Sequence, residues 1–301
     1  MQKIVSVIIP TYSRSTFITR AIDSILGQTY HPIEIIVVDD NGKGTPKQIE
    51  TQKILQTYID DNKIRYITHE RNKNGSAARN TGIEASRGEY VTFLDDDDEY
   101  LPEKIAREVE AIEHGGEEVG GSYCGHRKSK GSVIVSERKA TKSGNLQKET
   151  LLQQWGFGTG SNPLFKREVF EKVGLFDVAF KRKQDVEFII RFFRQYKIVN
   201  VPEVLVIKHI ESQSNRPSAK AFAEVVRVFL STFENDIKAY PSDVSNEIYF
   251  RMYIQNAFFA LTESEYRFAF KTIRKALEYK SLTVKDILRI IKYIFVKKTI
   301  R

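Results

Sequence analysis

Cysteine is almost absent: Cys124 is the only one in 301 residues, so no disulfide can form within the chain. That fits a reducing compartment. Long apolar runs are also lacking. No stretch approaches the ~20 residues that a membrane-spanning helix needs. The opening "MQKIVSVIIPTY" has one early lysine and a short apolar run ending at Pro10, without the apolar core and small-residue cleavage site of a signal peptide. The expected location is therefore cytoplasmic. No internal repeat is visible. An overall charge of one sign is missing from most of the chain as well. The net charge is +8, but residues 264–301 hold 11 basic and 3 acidic residues, leaving 36 of each elsewhere. A neutral body with a basic end argues against a nucleic-acid-coated protein and for one localised anionic partner. What the chain does have is apolar content: 41% of its residues are hydrophobic, enough to bury a core.

The first hundred residues alternate two periodicities. Apolar, β-branched runs at Ile4–Pro10, Ile33–Asp40, Lys63–His69 and Glu89–Leu94 read as strands. Between them, Ser15–Gln28, Pro46–Ile59 and Ser76–Ser86 read as helices, the second with proline in its first turn. Such alternation predicts an α/β fold, with a mainly parallel sheet and helices on both faces. Ligands of such sheets bind at the carboxyl ends of the strands. By that rule Thr11–Arg14, Asp39–Asp40, Arg71–Gly75 and Asp95–Asp98 share one rim. Further helices are expected at Glu103–His114, Lys166–Val173 and Asp185–Tyr196, and a late strand at Glu203–His209. Between Gly121 and Thr150 the pattern weakens. "SVIVSER" suggests a strand, while "RKSKG" and "ATKSGN" read as exposed loops. After "SQSNRPSAK" the chain turns helical. The expected organisation is a domain over 1–215, with halves of about 1–100 and 101–215, then a helical region over 216–301.

Four consecutive aspartates, Asp95–Asp98, directly follow a predicted strand. Close-set carboxylates need a cation or protons to relieve their repulsion. Oxygen donors at this density suit Mg²⁺ or Mn²⁺. The spacing, loop glycine and closing glutamate of an EF-hand are absent. A solvated acidic loop is the alternative reading.

The ordered series "VSVIIPTYSR", "IEIIVVDDNG", "NGSAARNTGI", "GEYVTFLDDDDEYLP" and "KRKQDVEF" resembles the family 2 glycosyltransferases of GT-A fold, over about Val5 to His209. The resemblance implies a Rossmann-like domain, a nucleotide-sugar donor, a divalent metal on a D-x-D motif and inversion at the anomeric carbon. Carried over residue by residue, it implies that Pro10, Thr11, Tyr12 and Arg14 line the nucleotide end of the first strand. Asp39 would accept from the uracil ring nitrogen, which makes UDP the expected nucleotide. Arg79 would stand at the nucleotide site, a helix-surface ion pair being the alternative, and Arg71 would reach phosphate. From residue chemistry alone, Gly75 permits close backbone approach and Ser76 is expected to cap the helix that follows. Asp95 and Asp97 match D-x-D, with Asp97 the expected metal ligand. Asp96 would face ribose or metal-bound water, and Asp98 would cap the next helix or support the site. Asp40 would shape the turn with Asn41 and Gly42.

Asp185 matches the family's carboxylate base, with Glu187 in reserve. Gln184 departs from the pattern, standing where the family usually has glutamate, and bears on acceptor contacts. Trp155 and Phe157 fall in the acceptor-side segment, where either sugar stacking or core packing suits them. His209 falls where some relatives have a metal- or phosphate-contacting histidine.

Residues 281–301, "SLTVKDILRIIKYIFVKKTIR", form a basic amphipathic pattern. It fits a reversible contact with an anionic membrane surface, in keeping with a saccharide or lipid-linked acceptor, or alternatively a helix packed on its neighbours or pairing two copies. The overall expectation is an inverting, metal-dependent transferase of surface polysaccharide or glycoconjugate assembly. Two competitors remain. A nucleotidyltransferase would carry a Gly-rich basic loop after the first strand, and "PTYSRSTF" is not one. The other is a non-catalytic sugar- or membrane-binding protein on the same scaffold.

Overall fold

The computed structural model describes residues 2–180, 182–210, 218–283 and Asp286. The chain divides into two compact units, residues 1–147 with 156–212, and residues 148–155 with 213–301. The predicted basic helix over 281–301 lies outside the described residues except for 281–283 and 286.

The first unit is an α/β sheet of nine strands. Four of them follow the expected alternation: β1 (Val5–Thr11), α1 (Ile18–Leu26), β2 (Ile33–Asp39), α2 (Pro46–Asp60), β3 (Arg65–Thr68), α3 (Gly75–Ala85) and β4 (Tyr90–Phe93). β3, β2, β1 and β4 lie side by side and run parallel. Next come β5 (Asp98–Tyr100), α4 (Lys104–His114), β6 (Val119–Lys130), β7 (Val133–Arg138), α5 (Gln147–Leu151), β8 (Leu164–Lys166), α6 (Arg167–Val173), α7 (Gln184–Phe192) and β9 (Lys197–His209). The sheet order is β3-β2-β1-β4-β8-β6-β9-β5, with β7 hung on β6. Beyond β4 directions mix: β8 is antiparallel to both β4 and β6, β9 runs parallel to β6, and β5 antiparallel to β9.

Strand alternation explains how both faces are covered. Val5, Val7 and Ile9 of β1 join Ile35 and Val37 of β2 in one core with Ile22 and Ile25 of α1, Leu55 of α2, and Ile105, Val109 and Ile112 of α4. The intervening Ile8 points the other way, and α3 lies so close that a Cβ at Gly82 would sit 2.3 Å from an Ile8 methyl. Phe93 faces the same side, edge-on to Phe170 and Phe176. Thr45 starts α2 by accepting from the Gln48 amide, with Pro46 at the first helical position.

Two readings need correction. "RKSKG" is no loop: Arg127–Lys130 end β6, paired to β7 on one side and β9 on the other. The late strand also begins earlier, at Lys197, because its first residues pair with β6 rather than turning.

The second unit is helical. It comprises residues from α5 onward to 155, with α8 (Ala219–Thr232), α9 (Glu234–Lys238), α10 (Ser242–Thr262) and α11 (Tyr266–Leu277). Ser218 caps α8 through the Ala221 amide. Phe222 stacks on Phe259 at 4.5 Å, and Phe250, Ile254 and Ala276 close a second patch between α10 and α11. No described helix is long and apolar enough to cross a membrane.

Candidate active site

The carboxyl ends of β1, β2 and β4 carry Thr11–Arg14, Asp39–Asp40 and Asp95–Asp98 onto one rim, as parallel strands require. The four aspartates turn out unequal. Asp95 and Asp97 are partly open, their side chains 25% and 17% exposed, while Asp96 and Asp98 are sealed. Each open carboxylate meets an arginine. Arg79 from α3 reaches Asp95 at 2.6 Å, and Arg14 after β1 binds Asp97. Arg20 of α1 holds the Asp97 carbonyl at 2.7 Å. Gly75 leaves Arg79 its room, since a Cβ there would come within 3.2 Å of the guanidinium.

Asp96 accepts from Thr11 Oγ1 at 2.7 Å. Its other oxygen lies 2.8 Å from Arg14 Nη2 without hydrogen-bond alignment. Burial pushes this carboxyl up to about 7, against the pull of Arg14 and Thr11. Asp98 is likewise pushed up to about 7 by burial, with the Asp95 charge adding to it. Asp98 is not a helix cap. It belongs to β5 and accepts from Thr159 Oγ1 at 2.7 Å and Ser161 Oγ at 2.6 Å, while the Ser161 hydroxyl also receives the Asp95 amide at 3.0 Å. The segment after Phe157 therefore fastens the acidic loop. Asp97 is raised too, by burial first, with Arg14 opposing.

At the end of β2, Asp39 is buried. It accepts from Tyr66 Oη at 2.5 Å and the Asn41 amide at 2.8 Å. Burial raises its pKa, and those two hydrogen bonds oppose the rise. Tyr66 was not foreseen. It sits on β3 in a strand whose alternation gives no hint of a polar partner. Asp40 does more than shape its own turn. It accepts from the amides of Lys73 and Asn74 at 2.8 and 2.9 Å and from Asn72 Nδ2 at 2.9 Å, and His69 Nδ1 lies 2.7 Å away. That fixes the loop entering α3. The α3 cap is Asn74, at φ +81°, not Ser76. Its Oδ1 takes the Ser76 and Ala77 amides at 2.9 and 3.2 Å, so these two already have an acceptor. Tyr12 and Arg71 are exposed on the same rim, and Pro10 pairs with Val38.

Asp185 is the second residue of α7. Lys183 holds the cap position at φ +59°. A carboxylate there sits at the positive end of the helix dipole. Burial pushes the Lys183 amine down to about 8, with Asp185 opposing. Asp185 and Gln184 line a small cavity with Arg79, Gly160, Phe157 and Phe188. Phe157 is buried, its ring edge-on to Tyr123. Trp155, half-buried, belongs to the second unit. Glu187, the reserve base, is buried and engaged by Arg191 Nη2 at 2.9 Å, and Arg191 also binds the Val173 and Leu175 carbonyls. His209 ends β9 with its Nε2 3.1 Å from Glu99.

The donor set suits a hard divalent cation. Two partly open carboxylates fit an ion that keeps positions for water and phosphate oxygens. No cluster of three or more histidine, cysteine or acidic groups converges among the described residues.

Residues 6–174, more than half of the chain, match the profile of glycosyl transferase family 2. The chain belongs to that family. This glycosyltransferase is 33% identical over 220 residues to an uncharacterized glycosyltransferase of Rickettsia prowazekii, covering 72% of this chain and 67% of that one. A Rickettsia felis relative, 29% identical, is covered over 38% of its length. The GalNAc(5)-diNAcBac-PP-undecaprenol beta-1,3-glucosyltransferase of Campylobacter jejuni is 30% identical over 55% of this chain and 52% of its own. Among solved structures, Staphylococcus aureus TarS in complex with UDP-GlcNAc aligns with a TM-score of 0.69 at 17% identity, over 92% of this chain and 81% of that one. The Pyrobaculum calidifontis mannosyltransferase in complex with GDP-Man and Mn²⁺ aligns at 0.57 with 20% identity, over 95% and 78%. The fold of the glycosyltransferase is thus of GT-A type.

Proposed function

We propose that this glycosyltransferase moves a sugar from a UDP-sugar to a saccharide or lipid-linked acceptor, with inversion and with help from Mn²⁺ or Mg²⁺. The observation that carries the reading is the shared cavity of Arg79 and Asp185. Arg79 pairs with Asp95 on the nucleotide side, and Asp185 lines the same space from the start of α7. In this reading, an arginine of the nucleotide site and the candidate base border one pocket.

Asp39, steadied by Tyr66, accepts from the uracil ring nitrogen, and Tyr12 offers a ring face beside it. Arg14 and Arg79 offer positive charge to the diphosphate. Asp97, with Asp95, would hold the divalent ion, which supplies charge to a departing diphosphate. Asp185 takes the proton of the acceptor hydroxyl as that oxygen attacks the anomeric carbon. An α-linked donor then gives a β-linked product. The UDP-GlcNAc complex of the TarS structure and the polyprenyl-diphosphate acceptor named for the Campylobacter relative support this substrate class. Surface polysaccharide or glycoconjugate assembly at the inner face of the membrane is the setting we favour.

The test is a panel of UDP- and GDP-sugars incubated with the full chain and Mn²⁺. Slow release of UDP from one UDP-sugar is the expected result. A chain that neither binds nor hydrolyses any nucleotide sugar would leave the non-catalytic reading standing instead.

A further inference from the structure

β6 and β7 form an antiparallel hairpin that turns through Gly131, at φ +57°. Its register shifts after Lys128: Ser129 faces Ile134, but Lys128 faces Ser136, so Val135 is the extra residue of a bulge. β7 pairs with β6 alone among the described strands, and all six of its residues are exposed. Three of them are consecutive aliphatics. Val133, Ile134 and Val135 are 64%, 52% and 55% exposed. Adjacent strand residues point to opposite faces, so neither face of the tip is covered. Exposed edges are ordinarily guarded by charge within the strand. Here the aliphatics occupy the tip and the charge surrounds it.

That charge is mainly basic. From Arg127 to Lys139 there are five basic residues and one acid, Glu137, in a body whose charges balance overall. Lys208 of β9 pairs with Lys128, and Ile210, another exposed aliphatic, donates its amide to Ser129. The local field is strong enough that Lys128, Arg138 and Lys208 add to burial in lowering the His126 pKa. A soluble polyanion would engage the lysines and leave the aliphatics in water. An apolar protein groove would bury the aliphatics and gain nothing from the basic ring. A bilayer interface with anionic headgroups accepts both at once.

We propose that the β6–β7 hairpin docks the protein on an anionic phospholipid membrane, with Val133–Val135 entering the headgroup boundary and the surrounding lysines and arginines meeting lipid phosphates. The register gives this contact a consequence. Lys128, Lys208 and Asp98 lie in one row across β6, β9 and β5, so the hairpin rises at the end of the sheet that carries the acidic loop. Docking there brings Asp95–Asp97 toward the lipid surface. The assignment does not rest on the donor or acceptor proposed above, because its test reads membrane contact alone.

Cys124 is buried, which leaves an introduced cysteine as the accessible thiol. In the full chain, Ile134→Cys carrying an environment-sensitive dye should shift to the blue with phosphatidylglycerol-containing vesicles. It should not shift with pure phosphatidylcholine, and Lys53→Cys, on the exposed surface of α2, should stay unshifted with both. The triple variant Val133→Ser, Ile134→Ser, Val135→Ser should keep the wild-type melting temperature and partition at least about tenfold more weakly. Lys130→Glu with Lys139→Glu should also lose about tenfold or more. Sedimentation with vesicles while the dye at 134 stays unshifted would assign membrane contact to another segment and overturn the proposal. So would a concentration-dependent shift without lipid, which would mark strand pairing between copies, and so would wild-type protein that ignores anionic vesicles.

Discussion

Replacing Asp96 with asparagine should remove a defined slope from the pH dependence of stability. The wild-type carboxyl is sealed beneath the acidic loop, with one oxygen held by Thr11 and the other facing Arg14 without an aligned hydrogen bond. Its pKa, pushed to about 7, lies well above the 3.8 of an unperturbed aspartate. A carboxyl with a raised folded pKa binds more protons folded than unfolded. Its contribution to stability is complete below about pH 4 and is lost as pH rises through about 7. Where the two states differ by one whole proton, the slope is about 1.4 kcal/mol per pH unit. From pH 5 to pH 7 the wild type should lose ~2 kcal/mol through this group. Asparagine is nearly isosteric and carries no proton equilibrium. Its carbonyl can keep the Thr11 hydrogen bond, or turn toward Arg14 while the Thr11 hydroxyl accepts from the amide. Asp98 titrates in both proteins, so its slope cancels in the difference. The assay is denaturant unfolding of both proteins, with chelator present, at steps from pH 5 to pH 8. The gap between them should move by about 2 kcal/mol in favour of the variant as pH rises. A gap that stays constant across the range would refute the picture of Asp96 as a buried carboxyl held near neutrality.

Two further outcomes probe the site's supports. Tyr66→Phe removes the 2.5 Å hydrogen bond to buried Asp39, and an unmet buried acceptor costs about 1–3 kcal/mol. Calorimetric UDP affinity should fall roughly tenfold, and unchanged affinity would take the Tyr66–Asp39 pair out of nucleotide binding. Gly158→Ala would place a Cβ 2.1 Å from His126 Cε1 at φ +83°. The variant should lose about 2 kcal/mol or more in denaturant unfolding, with partial recovery on adding His126→Ala; a neutral result would contradict the close approach.

The first half of the fold was legible because its physics is local. β1, β2 and β4 are parallel strands with mostly buried residues, so each reads as an apolar run, with helices of 3.6-residue period between the strands and the half-buried β3 at the edge. What escaped depends on pairing across the chain. β8, Leu164–Lys166, is three residues long and exists because it bridges β4 and β6. β5 is equally short, and its aspartate looked like loop until β9 paired with it. Arg127–Lys130 carry so much charge that no hydrophobic pattern survives, yet two neighbouring strands hold them. The site divides in the same way. The family resemblance led to Asp39 and Arg79, and charge density after a strand to the acidic run. The D-x-D match set Asp95 and Asp97 apart, but nothing local showed how Asp96 and Asp98 are sealed, since that comes from Thr11, Thr159 and Ser161, which lie far away in sequence. Asn74 was passed over for Ser76, and the reach of Asp40 beyond its own turn was missed, because the contacts that reveal them join the end of β2 to the loop before α3 through space.

The central claim is that Asp185 acts as base beside a nucleotide site it does not itself form. Asp185→Asn tests it most directly, with donor affinity and sugar transfer measured on the same preparation. The account predicts unchanged UDP-sugar affinity and transfer reduced by at least about 10²-fold. Wild-type transfer in that variant would contradict it.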